Sequence, residues 1–419
     1  MSRLFTLFLS LVTLSAAAIT RDEMRQEIAE TPEKAGGIYF AYPFTTDSLP
    51  DAPDGFKPFY IAHYGRHGSR WAINEKQYDI ADTIFAIQER AGNLTPLGRD
   101  VMERVGRIGR HARGHSGELS PLGEQQHKAI ASRMMDRFPH LFADTALVIA
   151  RSSVEPRCIV SMAAFCERLK ERNPSLRIER HATPGDMDFI AHRSPESVAM
   201  GKDTAAWRTS WRAFRDSVVP TDRLMAALFV DPAEITHPGY ATKILYDIAI
   251  AIQDVTGLDE QLLDIFTADE LFNLWQAKNY EMYYRHGRAT AAGDTGPLSA
   301  RSLLRRLIEI GDNAASSREP GVSLHFGHDT FLIRLLSLMD LDGLSCAESD
   351  PVLYCEAWQD FKASPMAANL QIIFHRDATD GRTLAHIRHN ERPATLPLPA
   401  VAPGFYDWAV LSDYWKSKL

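Results

Sequence analysis

Three short runs of aromatic and β-branched residues punctuate the chain: Pro58-Phe59-Tyr60-Ile61-Ala62-His63-Tyr64-Gly65, Thr145-Ala146-Leu147-Val148-Ile149-Ala150 and Val322-Ser323-Leu324-His325-Phe326. Their composition suits buried strands. Each run gives way to a polar turn and then to helical spacing. The first is followed by a helix-like stretch over residues 74–90. The second leads to an amphipathic helix reaching Leu169, with Ile159, Met162, Ala163 and Phe165 on its apolar side, and the third to an apolar helix over 331–338. Two near-repeats, Thr95-Pro96-Leu97-Gly98 and Ser120-Pro121-Leu122-Gly123, set a capping hydroxyl before a proline and predict two more helix starts, the second helix running to about Phe138. Near the end, residues 369–376 and 382–389 flank Asp380-Gly381 and predict a hairpin. Between 186 and 297 strand signals fade and helical spacing dominates, as in Ile244, Leu245, Ile248, Ile252 and Val255. The pattern predicts an α/β protein with a helical insertion.

Composition narrows the setting. A chain of 419 residues that is 45% hydrophobic and 24% charged is ordinary for a soluble globular protein of one large or two ordinary domains. Residues 1–18 carry one Arg, an apolar run from Leu4 to Leu14 and the small-residue exit Ala16-Ala17-Ala18. They read as a secretory signal cleaved near Ala18, too short for a membrane span and with no neighbouring cysteine for a lipid anchor. The mature protein is expected to be secreted or periplasmic, with no membrane anchor. Losing Arg3 takes the formal charge from -8 to -9, which offers nucleic acid no attraction, so any anion must be met by a local arginine cluster. Of the four cysteines, Cys346 and Cys355 bracket a polar loop short enough for a bridge in an exported protein. Cys158 and Cys166, if helical, share a face about 12 Å apart, too far to bond, and are expected to be free and buried.

The chemistry concentrates where strands end. Arg66-His67-Gly68-Ser69-Arg70 follows the first strand directly. Paired guanidiniums grip phosphate oxygens bidentately, and an imidazole between them can attack phosphorus. Arg110-His111 and Arg285-His286 show that Arg-His pairs also arise by chance; position at a strand end, where open α/β sheets carry their sites, sets the first apart. Gly327-His328-Asp329-Thr330 stands in the same place after the third strand. Asp329 alone would be an ordinary helix cap. Together, His67 supplies a nucleophile and Asp329 an acid for the departing alkoxide. Nearby arginines keep His67 neutral and bound phosphate keeps the acid protonated, so an acidic pH optimum is expected.

These residues resemble the histidine acid phosphatases, in their branch near the multiple inositol polyphosphate phosphatases. RHGSR is similar to the RHGxR signature and GHDT to the later HD element, while GELSPLGEQQH and SSVEPRCIVSMAAF resemble stretches between them. The resemblance covers most of the mature chain and the insertion least. It implies a three-layer α/β/α core with a mainly parallel sheet, formed by 19–185 and 298–419, with a helical cap over 186–297. It implies a phosphomonoesterase that needs no cofactor and no metal, acting on a small-molecule phosphate ester. His67 becomes the nucleophile and Asp329 the proton donor, while Arg66, Arg70, Arg157 and His328 hold the phosphate; Arg151 is the reserve for Arg157. Two departures bear on the substrate. The inositol polyphosphate branch usually has His-Ala-Glu where this chain has His-Asp-Thr, and Trp71 follows Arg70 where phytase-like members carry a small residue. Inositol polyphosphates are therefore favoured rather than fixed. Cap residues Trp275, Lys278, Asn279, Tyr283, His286 and Arg288, together with Trp71 and Asn369, are candidate substrate contacts, though aromatics at helical spacing usually form core.

Other chemistries fit less well. Cys166 and Arg172 have the spacing of a cysteine phosphatase loop, yet the stretch lacks glycines and reads as continuous helix. His111 with His115, and His386 with His389, lack a third metal ligand nearby. A non-catalytic phospholigand binder would need neither His67 nor Asp329, and a phosphohistidine mutase fits poorly with export.

Overall fold

The computed structural model describes residues 19–42, 50–191, 194–200, 206–317 and 320–419, so the stretch read as a signal lies outside the described residues. Among the described residues eight strands form one sheet: β1 (Phe56–Arg66), β2 (Leu147–Ser152), β3 (Arg177–His181), β4 (Gly321–Gly327), β5 (Asn369–Asp377), β6 (Thr383–His389), β7 (Arg392–Pro393) and β8 (Phe405–Asp407). The longer helices are α1 (Arg21–Glu30), α2 (Lys76–Arg90), α3 (Pro96–Ala112), α4 (Pro121–Arg137), α5 (Pro156–Arg172), α6 (Ala206–Val218), α7 (Pro238–Ile252), α8 (Ala268–His286), α9 (Arg301–Ser317), α10 (Asp329–Leu338) and α11 (Trp408–Lys416).

The strand order is β3-β2-β4-β1-β5-β6-β7, with β8 paired to β6. The first four strands in this order are parallel neighbours; from β1 onward every pairing is antiparallel. A parallel half needs cover on both faces. Ile61, Val148, Ala150, Leu324 and Phe326 pack on one face against Ile130 and Met134 of α4 and Phe165 and Leu169 of α5. Their sequence neighbours Ala62 and Tyr64, with Leu370, Ile372 and Phe374, face the other way against Leu303 and Leu307 of α9, Phe331 of α10 and Trp408 of α11. The alternation produces the three-layer α/β arrangement.

Local signals hold where they were read. The Thr95 hydroxyl accepts from Gly98 N and the Ser120 hydroxyl from Gly123 N, opening α3 and α4 at the two prolines. The final hairpin pairs Arg376 with Thr383 across a turn in which Gly381 has φ 77°. Cys346 and Cys355 are free: their thiols donate to the carbonyls of Ala357 and Val352, so the bridge considered for them is not formed. Cys158 and Cys166 are free and buried, as expected.

Among the described residues from 187 to 298 every named element is a helix, with one isolated antiparallel bridge from Phe229 to Leu94. Their core is shared across the chain. Leu245, Ile248, Phe272 and Trp275 pack with Met24 and Ile28 of α1, Tyr78 and Phe85 of α2, and Val101 and Val105 of α3. Two segments distant in sequence thus build one helical region beside the sheet.

Candidate active site

Adjacency of β1 and β4 brings the two sequence motifs together. Arg66 lies opposite Gly327 in the parallel register, so the turns carrying His67 and His328 leave the same sheet edge side by side. His67 N donates to Gly327 O (3.0 Å), Arg66 N to Ala368 O (2.8 Å) and Ala367 N to His67 O (3.0 Å), fixing the first turn between β4 and the segment before β5. Gly68 has a packing role: a Cβ there would lie 2.5 Å from Gly123 O, and one on Gly123 would lie 2.2 Å from Ser69 O. The start of α4 presses on the turn, backbone against backbone, as only glycines allow. Ser161 of α5 secures the same turn by accepting from Gly68 N (3.1 Å).

His67 is almost fully buried, and its Nδ1 lies 2.9 Å from Gly68 O. A carbonyl only accepts, so Nδ1 carries the proton and Nε2 keeps its lone pair. Burial, reinforced by Arg66, Arg70 and Arg157, holds the imidazole well below its ordinary pKa. The ring is therefore neutral, with the Nε2 lone pair free.

Three guanidiniums surround it. Arg66, wholly buried, donates through Nη1 to Ile38 O (2.5 Å) and Ser364 O (2.7 Å). Arg70 donates to Trp71 O (2.9 Å) and Tyr39 Oη (3.3 Å) and stacks 4.9 Å from the Tyr39 ring. Arg157 borders a cavity of about 320 Å³ that His328, Asp329, Thr330 and Ser153 also line. The Nε atoms of all three arginines are buried without a hydrogen-bond partner among the described residues.

Across from His67, Asp329 Oδ2 lies 3.0 Å from Arg66 Nη2, and Oδ1 accepts from Thr330 N at 2.7 Å. Burial pushes this carboxyl up, but Arg66, His67 and Arg70 outweigh it and hold it below the usual carboxylate range. Without an anion it is therefore ionised. His328 stands edge-on to His67 at 5.9 Å, with Nε2 3.1 Å from Ser153 Oγ and its backbone N donating to Tyr64 Oη. Burial, aided by Arg157, lowers its pKa to about 4. Cys158 donates to Gly327 O and lies 3.9 Å from His328, so the arginine, cysteine and serine at the start of α5 line the cavity, back His328 and hold Gly68 respectively.

The remaining sequence candidates scatter. Arg151 pairs with Asp186 and does not line the cavity that Arg157 borders. The Trp71 ring packs against His111 and His115, each 4.9 Å away, so this histidine pair contacts an indole. Lys278 Nζ lies 4.6 Å from the Tyr39 ring, one residue removed from Arg70. Asn279 donates to Trp358 O and accepts from Asp360 N; Trp275 donates to Asp360. Asp360 in turn accepts from Ile38 N, whose carbonyl receives Arg66, so both helical residues stand behind Arg66. Tyr283 bonds Cys346 O and Glu348 N, His286 accepts from Arg334, Arg288 is paired with Asp294 and Asp340, and Asn369 is buried against Gln371 and Tyr42. Cys166 sits inside α5, its thiol pushed up to about 12 by burial. His386 stacks on Phe405, whereas His389 bonds Asp342 and Ala363 O. Among the described residues no group of three or more metal-binding side chains occurs.

Two neighbours of the site escaped the sequence reading. Ser153 stands immediately past β2 and was open to the strand-end rule that found the others. Tyr39 ends a 3₁₀ stretch (Pro32–Tyr39) kinked at Gly37, whose sequence gives no periodic signal.

No family model matches the chain, and no curated protein sequence does. Solved structures do match. The multiple inositol polyphosphate phosphatase of Bifidobacterium longum, in complex with inositol hexasulfate, aligns with a TM-score of 0.76 at 16% identity over 91% of this chain and 97% of that one. The phytase of D. castellii gives 0.65 at 15% identity, over 98% of this chain and 89% of that one. A Hafnia alvei phytase gives 0.53 at 13%, over 88% and 98% respectively. At these identities the likeness establishes the fold, an α/β sheet flanked by helices along nearly the whole length of each protein.

Proposed function

We propose that the protein is an exported phosphomonoesterase that works through a phosphohistidine. One observation carries the reading: three arginines that surround a neutral, buried imidazole each hold an Nε–H without a partner among the described residues. A buried donor costs about 1–3 kcal/mol until it is satisfied, and one phosphate can satisfy several. His67 Nε2 attacks phosphorus as the P–O bond to the alcohol breaks, and Asp329 gives its proton to the departing oxygen. Water then attacks the phosphohistidine, returning a proton to Asp329 and releasing phosphate. Asp329 is ionised before substrate arrives, because Arg66 faces it. A phosphate monoanion engages the same guanidiniums and brings a proton with it, so the carboxyl is loaded best in acid. Among the described residues no helix is long and apolar enough to cross a membrane.

Inositol polyphosphates are the favoured substrates. Lys278, beyond Tyr39, supports this by offering a second cation near Arg70 for a neighbouring phosphate. The fold shared with inositol phosphatases and phytases supports it further. The test is phosphate release at pH 5 in chelator, from inositol hexakisphosphate and from sugar, nucleotide and aryl phosphates, by wild type and His67→Ala. Chelator-resistant turnover lost in the variant is expected. Binding of phosphate esters without release would make the protein a phospholigand binder.

A further inference from the structure

Ser69, in the middle of the signature turn, is held from two sides. Its hydroxyl donates to Asp254 Oδ1 (2.6 Å) and accepts from Gln126 Nε2 (2.9 Å), while its backbone N donates to Gln126 Oε1 (2.8 Å). All three residues are fully buried. Asp254 comes two residues after the end of α7, so this contact ties the helical region to the turn carrying His67. Its other oxygen, Oδ2, is buried with no hydrogen-bond partner among the described residues.

We propose that Asp254 is a positioning residue of the phosphate clamp, which holds Ser69 in place and, when ionised, weakens the hold of Arg66 and Arg70 on an anion. The inference rests on the phosphatase reading of the site. Charge arrangement carries it. Arg66 and Arg70 are the charged side chains acting on Asp254; α4 reaches the Ser69 that it holds through the neutral Gln126, and its own helix end carries the neutral Gln253. Asp329 already offsets one guanidinium charge. A second carboxylate behind the turn offsets another, leaving less positive potential for phosphate, whereas a protonated Asp254 restores it. Burial pushes this carboxyl up to about 7 against the opposing pull of Ser69 and the two arginines. The clamp is thus strongest in acid, where Asp329 is also most easily protonated by substrate.

The test compares full-length wild type with Asp254→Asn from pH 5 to pH 8, measuring inhibition by inorganic phosphate of aryl phosphate hydrolysis. Asparagine can keep the bond from Ser69 but has no charge to gain. The variant-to-wild-type ratio of inhibition constants is expected to fall roughly three- to tenfold from pH 5 to pH 8, because only wild type acquires the opposing charge. A ratio constant with pH would overturn the proposal and leave Asp254 merely structural. If Asp254→Asn does not fold, Ser69→Ala gives a second reading. It removes a donor to the carboxylate, so the break in phosphate binding moves up by roughly half a pH unit or more, and an unmoved break would contradict the proposal. Lack of turnover by wild type would overturn the phosphatase reading instead; calorimetric phosphate binding across the same pH range then decides the role of Asp254 separately.

Discussion

At the sheet edge, the three arginines around His67 keep bonding capacity in reserve; the helical residues that the sequence nominated as ligand contacts have largely spent theirs. Arg66, Arg70 and Arg157 are anchored by some of their nitrogens or by ion pairing, yet each retains a buried Nε without a partner among the described residues. Trp275, Asn279, Tyr283 and Arg288, chemically just as suited to grip a ligand, are bonded to Asp360, Trp358 O, Cys346 O and the pair Asp294 and Asp340. The difference teaches that residue type nominates a ligand contact, and that unspent valence counts where several such atoms converge on one group, as the three arginines do on His67. Lys278 is the helical residue closest in character to the edge, standing over Tyr39 against the Arg70 stack.

The contrast can be broken at several points. Removing the proposed nucleophile should have the largest effect: His67→Ala is expected to lower kcat by at least about a thousandfold, measured as phosphate release, with the fold retained by circular dichroism. Arg157→Ala comes next, with a loss on the order of a thousandfold in kcat/KM, whereas Arg151→Ala should stay within a few-fold of wild type. In the helical region the effect should move from kinetics to stability. Tyr283→Phe strips the hydroxyl from Cys346 O and Glu348 N and should cost about 1–3 kcal/mol in urea unfolding, with kcat and KM unchanged.

Acid should distinguish the regions too. Burial lowers His63 and His127 to about 3 and His325 to about 4, all beneath the sheet edge. Their folded pKa values lie below the unfolded value near 6.5, so stability is full above that pH and falls as pH drops toward 4 and 3. Thermal unfolding should therefore show a lower Tm at pH 4 than at pH 7, which limits how far an acidic optimum can extend. The smallest effect is expected for Lys278→Ala, a KM increase of roughly three- to tenfold for inositol hexakisphosphate and little change for an aryl phosphate.

Much of this was legible in sequence because the informative residues are neighbours. Arg66 to Arg70 and Gly327 to Thr330 each follow a strand, and the Thr95 and Ser120 caps declare themselves within four residues. What depended on distance was not legible. The anchors of Arg66 lie 28 and 298 residues away, at Ile38 and Ser364. Placement of β4 between β2 and β1, which sets the two motifs side by side, leaves no mark in either strand. Strand-end position suited Arg151 and Arg157 equally, and only their side-chain directions separate them: one points to Asp186, the other borders the cavity. Nor does the sequence show what Gly68 makes room for, which is the backbone of Gly123.

Covalent capture of the intermediate tests the mechanism most directly. Wild-type protein mixed with inositol hexakisphosphate at pH 5 and quenched within milliseconds into alkali, where phosphohistidine survives, would be digested and sequenced by mass spectrometry. A phosphoryl group on His67, absent from His67→Ala, is the expected result. Steady turnover with His67 unmodified, or a phosphoryl group on another side chain, would contradict nucleophilic attack by His67.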